Sequence, residues 1–419
     1  MAEEFRYRYL LIGGGMASDS AARGIRERDI SGSIGLIGAE ADAPVSRPDL
    51  SKALWTDPEF TFDKVWLNTA EDTRAELHLG TRAVALDRVA KRVETDSGDV
   101  YHYEKLLLAT GSAPTRIDLP DDDRVIYFRT VEDYRRLRRW AGGDRRVAVI
   151  GGGFIATEIA AALAQNETAV TLIFPDELLG GSVFPSDLAR HLELLYRAAG
   201  VELIGRSRIE RGYATDDEIL IELPDGRVIG ADAVVLGLGV TPEIALARAA
   251  GLSVGDGVIV DQMLQTSDPS IWAAGDIAAY PDAILGQVRI AHVDNATEMG
   301  RQAGRNLAGA AEPYDHTPLF YSDLFTEGYE AVGRLDSRLA LIEDWQGAEA
   351  GGSVWSGVVY YWDGDRSAAG APTADSDSSS TGRPLAGVLL WNRDGGTDQA
   401  RELIAAPPAD PGALRGRIR

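Results

Sequence analysis

The sequence predicts an α/β protein: two doubly wound folds, the first interrupted by the second, and then an α+β domain. Three observations carry this. A strand, glycine turn and helix open the chain at Tyr7 to Ser18. The same order recurs from Arg146 to Ala156. From about residue 313 the texture changes to short β runs. The expected boundaries are 1–135 with 255–312, then 136–254, then 313–419.

In the first fold, Tyr7 to Ile12 reads as a strand, and Gly13, Gly14 and Gly15 as its turn. Gly13 allows the tight bend, and Gly15 lets backbone approach a pyrophosphate. Ser18 is the third small residue, where helix and strand pack closely. The helix points its first N–H groups at the phosphates. A second strand, Ile34 to Gly38, leads to Glu40, 27 residues beyond Gly13. An acid there accepts hydrogen bonds from an adenosine ribose. Residues 81–87 and 92–95 form an antiparallel crossover. Tyr103 to Thr110 is a buried strand, and Thr110-Gly111 puts a bare turn at its carboxyl end, where such sheets bind ligands.

An arginine-rich helix, Tyr134 to Trp140, leads into the second fold. Gly151, Gly152 and Gly153 repeat the turn, Thr157 to Ala164 the helix, and Ala169 to Phe174 the second strand. A hairpin turns at Gly226, and Asp232 to Gly239 repeats the closing strand. Two such folds imply two dinucleotides, typically a bound flavin that takes hydride from a diffusing nicotinamide. The plain alternative is a duplicated fold with one dead site. The chain then returns to the first fold through a strand ending at Asp276 and a helix from Asn295 to Leu307. Strands at 329–333, 356–362 and 385–391, a helix at 398–404 and a disordered insertion at 364–381 complete the expectation. The Arg415, Arg417, Arg419 tail reads as solvated.

At 419 residues and 45% hydrophobic content, two or three domains with real cores are expected. The net charge of −23, from 42 bases and 65 acids, argues against non-specific binding to nucleic acid or anionic lipid. Lysine occurs only at 52, 64, 91 and 105. Acid-rich, lysine-poor surfaces suit concentrated salt, although a GC-rich genome gives the same arginine bias. There is no cysteine. This excludes disulfides, thiolate metal sites and every route through a redox-active cysteine. Five histidines, none in metal-ligand spacing, predict no metal site. An early first strand and acidic opening residues predict no signal peptide. With no apolar run of about 18 residues, the expectation is a cytoplasmic protein without a membrane span.

The two folds, Thr110-Gly111, Ala274-Gly275-Asp276 and the C-terminal β domain resemble flavoprotein reductases built like glutathione reductase. Arg47-Pro48-Asp49-Leu50-Ser51-Lys52 narrows this to the branch holding the ferredoxin reductases of oxygenase systems and apoptosis-inducing factor. Phe174-Pro175-Asp176, His292 to Ala296, Gly300 to Gly304, Ser322-Asp323-Leu324, Gly328 to Gly333 and Val388 to Asn392 look specifically like apoptosis-inducing factor. The resemblance implies FAD held through Gly13, Gly14, Gly15, Met16, Ala17, Glu40, Arg47, Lys52, Val84, Arg129 and Asp276. It implies NAD(H) near Gly152, Gly153, Phe154, Ile155, Asp176, Gly239 and Glu330, with His292 and Asn392 close to the flavin. It also implies a catalytic pair, Lys52 and Glu158, beside flavin N5. The chain departs from the family at Ser182, Ala291, Val293 and Tyr321, and its hairpin after position 55 is short.

On this resemblance Lys52 stabilises negative charge as hydride arrives, and Glu158 holds the ammonium. The alternative is an ordinary loop lysine and helix acid. Asp276 accepts a ribityl hydroxyl, or caps a helix, or does both. Asp176 and Glu177 follow the second strand of the second fold, where acids accept a 2′-OH and repel a 2′-phosphate; NADH is favoured over NADPH. Arg190 and Arg197 lie nearby in sequence. His292 reads as a neutral wall of the pocket or a satisfied structural histidine. The expected function is an FAD-containing NADH oxidoreductase passing electrons to an unidentified acceptor. Two rivals remain: a ferredoxin reductase, and an NADH-responsive binding protein whose output is a change in dimerisation.

Overall fold

The run Tyr9 to Ile12 has no polar face, so its strand must be covered on both sides. The computed structural model describes residues 2–346, 355–363 and 384–419, and its first strand is Glu4–Ile12. The insertion expected at 364–381 lies outside the described residues. The chain divides into two compact units. The first comprises Met1–Arg47, Phe62–Ala113 and Thr241–Pro318; the second comprises Pro48–Thr61, Pro114–Val240 and Leu319–Arg419.

In the first unit, Glu4–Ile12 lies between Ile34–Ile37 and Val100–Leu108, parallel to both. Glu76–His78 extends the sheet on one side. On the other, Val100–Leu108 also pairs with Ile271–Ala273, and Arg92–Thr95 and Ala83–Asp87 join antiparallel. Strand order therefore reverses at the first strand, which leaves a crevice beyond the strand ends. The helices Met16–Arg26 and Val293–Leu307 pack together through their small residues. A Cβ on Gly304 would lie 2.0 Å from Ala21 O, and one on Gly300 would lie 2.4 Å from Ala17 O. The two backbones touch because no side chain separates them.

In the second unit a parallel sheet runs in the order Glu202–Ile204, Ala169–Ile173, Arg146–Ile150, Ala233–Leu236, Val125–Tyr127. Its order also reverses at the strand before a glycine turn. Arg211–Ala214, Ile219–Glu222 and Val228–Ala231 form the crossover, one strand more than the expected hairpin. Residues 48–61 group here through Trp55. Its carbonyl accepts from Asn166 Nδ2 at 2.9 Å, its ring packs edge-on against Tyr134, and Arg138 lies over it at 4.6 Å.

The arginine-rich helix spans Val131–Arg138 and starts earlier than expected. The cause is a capping box: Thr130 accepts from Asp133 N while the Asp133 side chain reaches back to the Thr130 backbone. Among the described residues the C-terminal sheet has five antiparallel strands, two more than expected, in the order Leu319–Leu324, Glu327–Gly333, Leu385–Trp391, Ser356–Trp362, Ala340–Gln346. The two unforeseen strands are its edges, where one side meets water and the apolar pattern is weak. Arg415, Arg417 and Arg419 are exposed, as expected, but the tail that carries them is docked. Leu414 and Ile418 are buried, and Gly416 N donates to Asp344 Oδ2 at 2.6 Å.

Gly304→Val drives a branched side chain into Ala21 O. We expect a loss of about 1–3 kcal/mol or more, read as a lowered thermal transition; an unchanged transition would refute backbone contact between these helices.

Candidate active site

Both glycine turns obey the same constraint. Gly13 has φ +123° and Gly151 φ +127°. A Cβ on Gly13 would lie 2.0 Å from Ala109 O, and one on Gly151 would lie 2.4 Å from Gly237 O. Each turn is thereby pinned against the end of its closing strand. Gly14 and Gly152 face the residues after the second strands, Gly38 and Phe174. Gly15 and Gly153 have open space where a side chain would stand. They are the N-caps of Met16–Arg26 and Phe154–Gln165, and neither helix start has a side-chain capping bond. The first N–H groups of a helix lack intrahelical partners and attract anions. The residues fit the pyrophosphate of a dinucleotide in each unit. In the first turn the buried Ser18 hydroxyl has no protein partner, a further polar group available there. In the second, Phe154 and Ile155 are 44% and 39% exposed, an apolar surface beside the same helix end.

In the first unit, Glu40 pairs with Arg47, which orients the acid after the second strand. Val84 is exposed at an irregularity in its strand pairing. Thr110 Oγ1 donates to Glu243 O at 2.6 Å, and Glu243 N donates to Gly111 O at 2.9 Å. This turn therefore ties down the returning chain. Asp276 sits in the short helix Gly275–Ile277 and accepts from the Ser112 hydroxyl. His292 is the N-cap of Val293–Leu307, with Nδ1 accepting from Asp294 N at 3.4 Å. That contact puts the ring proton of the neutral form on Nε2.

In the second unit, Glu158 is 4% exposed and has three polar partners. Lys52 forms an ion pair with it. Ser51 donates to Oε2 and Ser322 to Oε1, each at 2.7 Å. Lys52 Nζ also lies 5.3 Å from the centroid of Tyr321. Tyr196 and Tyr329 are fully buried; burial first, and then the Glu158 charge, push both phenols well above their ordinary range.

Asp176 O accepts from Arg206 N, and Glu177 pairs with the Arg206 guanidinium. Arg190 and Arg197 pair with Asp187 and Glu193 of their own helix. The cation beside the two acids is thus Arg206, which the spacing did not point to. Arg129 N donates to Asp133 Oδ2, and Gly239 O accepts from Thr115 N. Burial, with the Asp394 charge, raises the Glu330 carboxyl above its ordinary value. Asn392 has φ +48°; its amide accepts from Gly328 N and donates to Trp355 O, so its side chain fastens strand ends.

The structure thus brings together Lys52 with Glu158, Glu40 with Arg47, and Asp176 with the second glycine turn's unit. It distributes the residues expected around the flavin over both units: Lys52, Arg129, Glu158 and Asn392 belong to the second. Ser51, Ser112, Ser322 and Arg206 were missed. Ser51, inside the motif ending at Lys52, and Ser322, inside Ser322-Asp323-Leu324, lay in stretches that carry the resemblance, but neither was marked as a donor to Glu158.

Residues 7–300 match the family described as pyridine nucleotide-disulphide oxidoreductase. Residues 303–361 match the C-terminal region of apoptosis-inducing factor, mitochondrion-associated. The chain is 38% identical over 335 residues to the ferredoxin–NAD(+) reductase component of an anthranilate 1,2-dioxygenase system from Burkholderia cepacia, covering 78% of this chain and 81% of that one. It is 31% identical over 363 residues to monodehydroascorbate reductase 3 of Arabidopsis thaliana, covering 80% and 82%. Among solved structures, a covalent putidaredoxin reductase–putidaredoxin complex matches with a TM-score of 0.84 and 29% identity, over 97% of this chain and 95% of that one. Two glycine turns built to one geometry, within a match spanning more than half its length, place the conclusion beyond the fold: this chain belongs to the pyridine nucleotide-disulphide oxidoreductase family.

Proposed function

We propose that the protein is an FAD-containing oxidoreductase that takes hydride from NADH and passes electrons to a separate acceptor. The observation that carries this is the duplicated geometry: two pinned glycine turns, each opening onto an uncapped helix start. In this reading 1–135 with 255–312 holds FAD, 136–254 holds NADH, and 313–419 completes the protein. Gly13 to Ala17, Glu40, Arg47, Thr110, Gly111 and Asp276 serve FAD. Gly151 to Ile155, Asp176, Gly239 and Glu330 serve NADH. FAD, when bound, supplies the redox chemistry, accepting hydride and releasing electrons to the acceptor. The helix starts fix the phosphates, Glu40 and Asp276 take hydroxyls, and Lys52, held by Glu158, supplies a fixed positive charge. His292 contributes an imidazole to the pocket wall. The absence of cysteine closes the thiol route that the family description names.

A ferredoxin-type acceptor is the second reading, favoured by the similarity to the Burkholderia ferredoxin–NAD(+) reductase component. Among the described residues no helix is long and apolar enough to cross a membrane, and no cluster of potential metal ligands occurs. A cytoplasmic location and a homodimer that responds to redox state belong to the same proposal.

Anaerobic titration with NADH should bleach the flavin spectrum at about one equivalent, and a [2Fe–2S] ferredoxin should restore it faster than a quinone or oxygen. Recovery with quinone alone would remove the ferredoxin reading, and a purified protein that takes up no FAD would remove the proposal. Lys52→Met should slow bleaching by roughly 10²-fold, the cost of losing one preorganised charge partner; an unchanged rate would dismiss Lys52.

NADH should outcompete NADPH. Asp176→Asn removes an acceptor, and Glu177→Gln frees Arg206 for a 2′-phosphate. Each should narrow the preference about tenfold, the order of one charge-assisted hydrogen bond. Ratios of kcat/KM for the two nucleotides decide it.

The raised Glu330 carboxyl has a definite sign. Folding favours its neutral form, so ionising it costs stability as pH rises from about 4.5 through the folded-state value. Glu330→Gln should melt with the parent at pH 4 and above it at pH 7; the reverse order would contradict the burial assigned to this group.

A further inference from the structure

Glu158 lies on Phe154–Gln165, and its hydrogen-bond donors come from elsewhere in the chain. Ser51 belongs to the segment 48–61, and Ser322 to the edge strand Leu319–Leu324. All three residues are buried. Each oxygen accepts one serine hydroxyl, and Oε1 also meets Lys52. A carboxylate held by one partner rotates about its last torsion. One held by donors on both oxygens does not. The surrounding phenols do not compete as acids, because burial and the Glu158 charge hold them protonated.

We propose that Ser51 and Ser322 are positioning residues: together they lock the Glu158 carboxylate in one orientation and so fix the Lys52 ammonium against it. The inference rests on the reading of Lys52 and Glu158 as the catalytic pair only for its functional consequence. The clamp itself is a statement about Lys52. It also assigns a task to the C-terminal region, since Ser322 delivers a hydroxyl to a helix of the parallel α/β fold.

The four lysines make this testable by competitive acetylation. The FAD-loaded protein is treated with trace acetic anhydride, and peptide mass spectrometry compares Lys52 with exposed Lys64 and Lys91 as internal references. In Ser322→Ala, labelling of Lys52 relative to both references should rise about tenfold, the order expected for one lost hydrogen bond to a charged group. Ser322→Thr keeps the hydroxyl and should return the parental value. Ser51→Ala should act in the same direction, and it carries the test alone where Ser322→Ala does not fold. Parental labelling in the alanine variants would overturn the clamp. NADH bleaching rates on the same samples separate the two claims. Raised labelling with unchanged bleaching supports the clamp and rejects the catalytic reading of the pair. Raised labelling with slowed bleaching supports both.

Discussion

At residues 13 and 151 the backbone runs so close to a neighbouring carbonyl that no side chain has room. Much else depends on that contact. It brings the end of the first strand, the end of the closing strand and the start of a helix to one point. It also forces a positive φ, which glycine adopts without a Cβ penalty. With the turn pinned, the helix start is aimed outward over the strand ends, where unpaired N–H groups and the helix dipole favour an anion. A side chain at either position would separate strand from helix and remove the anion site with it. The second constraint, the bare contact between Met16–Arg26 and Val293–Leu307, keeps the first helix from drifting.

What the sequence reveals follows from how local each signal is. The central strands are legible because they are buried on both faces and read as unbroken apolar runs, as at Leu106 to Leu108. The glycine turns are legible because their constraint acts within a few residues. The edge strand Ala340–Gln346 escapes because Glu343 and Asp344 interrupt its apolar pattern. The tail escapes because only two residues, Leu414 and Ile418, are buried among arginines. Of the site, acids after second strands are readable from spacing. Ser322 and Ser112 are not. Their partners, Glu158 and Asp276, are each 164 positions away, and nothing in a short window marks a serine as a donor to a distant carboxylate.

The charge composition acquires meaning from the same contacts. In a chain with 65 acids and four lysines, two of those lysines are only partly exposed. Lys52 pairs with Glu158. Lys105 donates to Leu307 O and lies over Trp272, and burial lowers its pKa. The ammonium group is compact and has three donors, so it suits a narrow pocket in which a planar guanidinium does not pack. Arginine takes most of the remaining cationic positions, many of them in exposed pairs of small energetic weight.

Each compact unit is assembled from three separate stretches, so the chain passes between them five times. This sets an order on synthesis. As the chain emerges from the ribosome, the first sheet waits for Ile271–Ala273 and for the helix that covers Met16–Arg26. The second waits longer, because Ser322, the last of the three partners of Glu158, comes 164 residues after it. Neither unit is a contiguous fragment that finishes by itself, and the early glycine turns are exposed while later residues are still being added. Until those later stretches are made the first sheets keep unpaired edges, the kind of surface that makes a partly folded chain prone to aggregate.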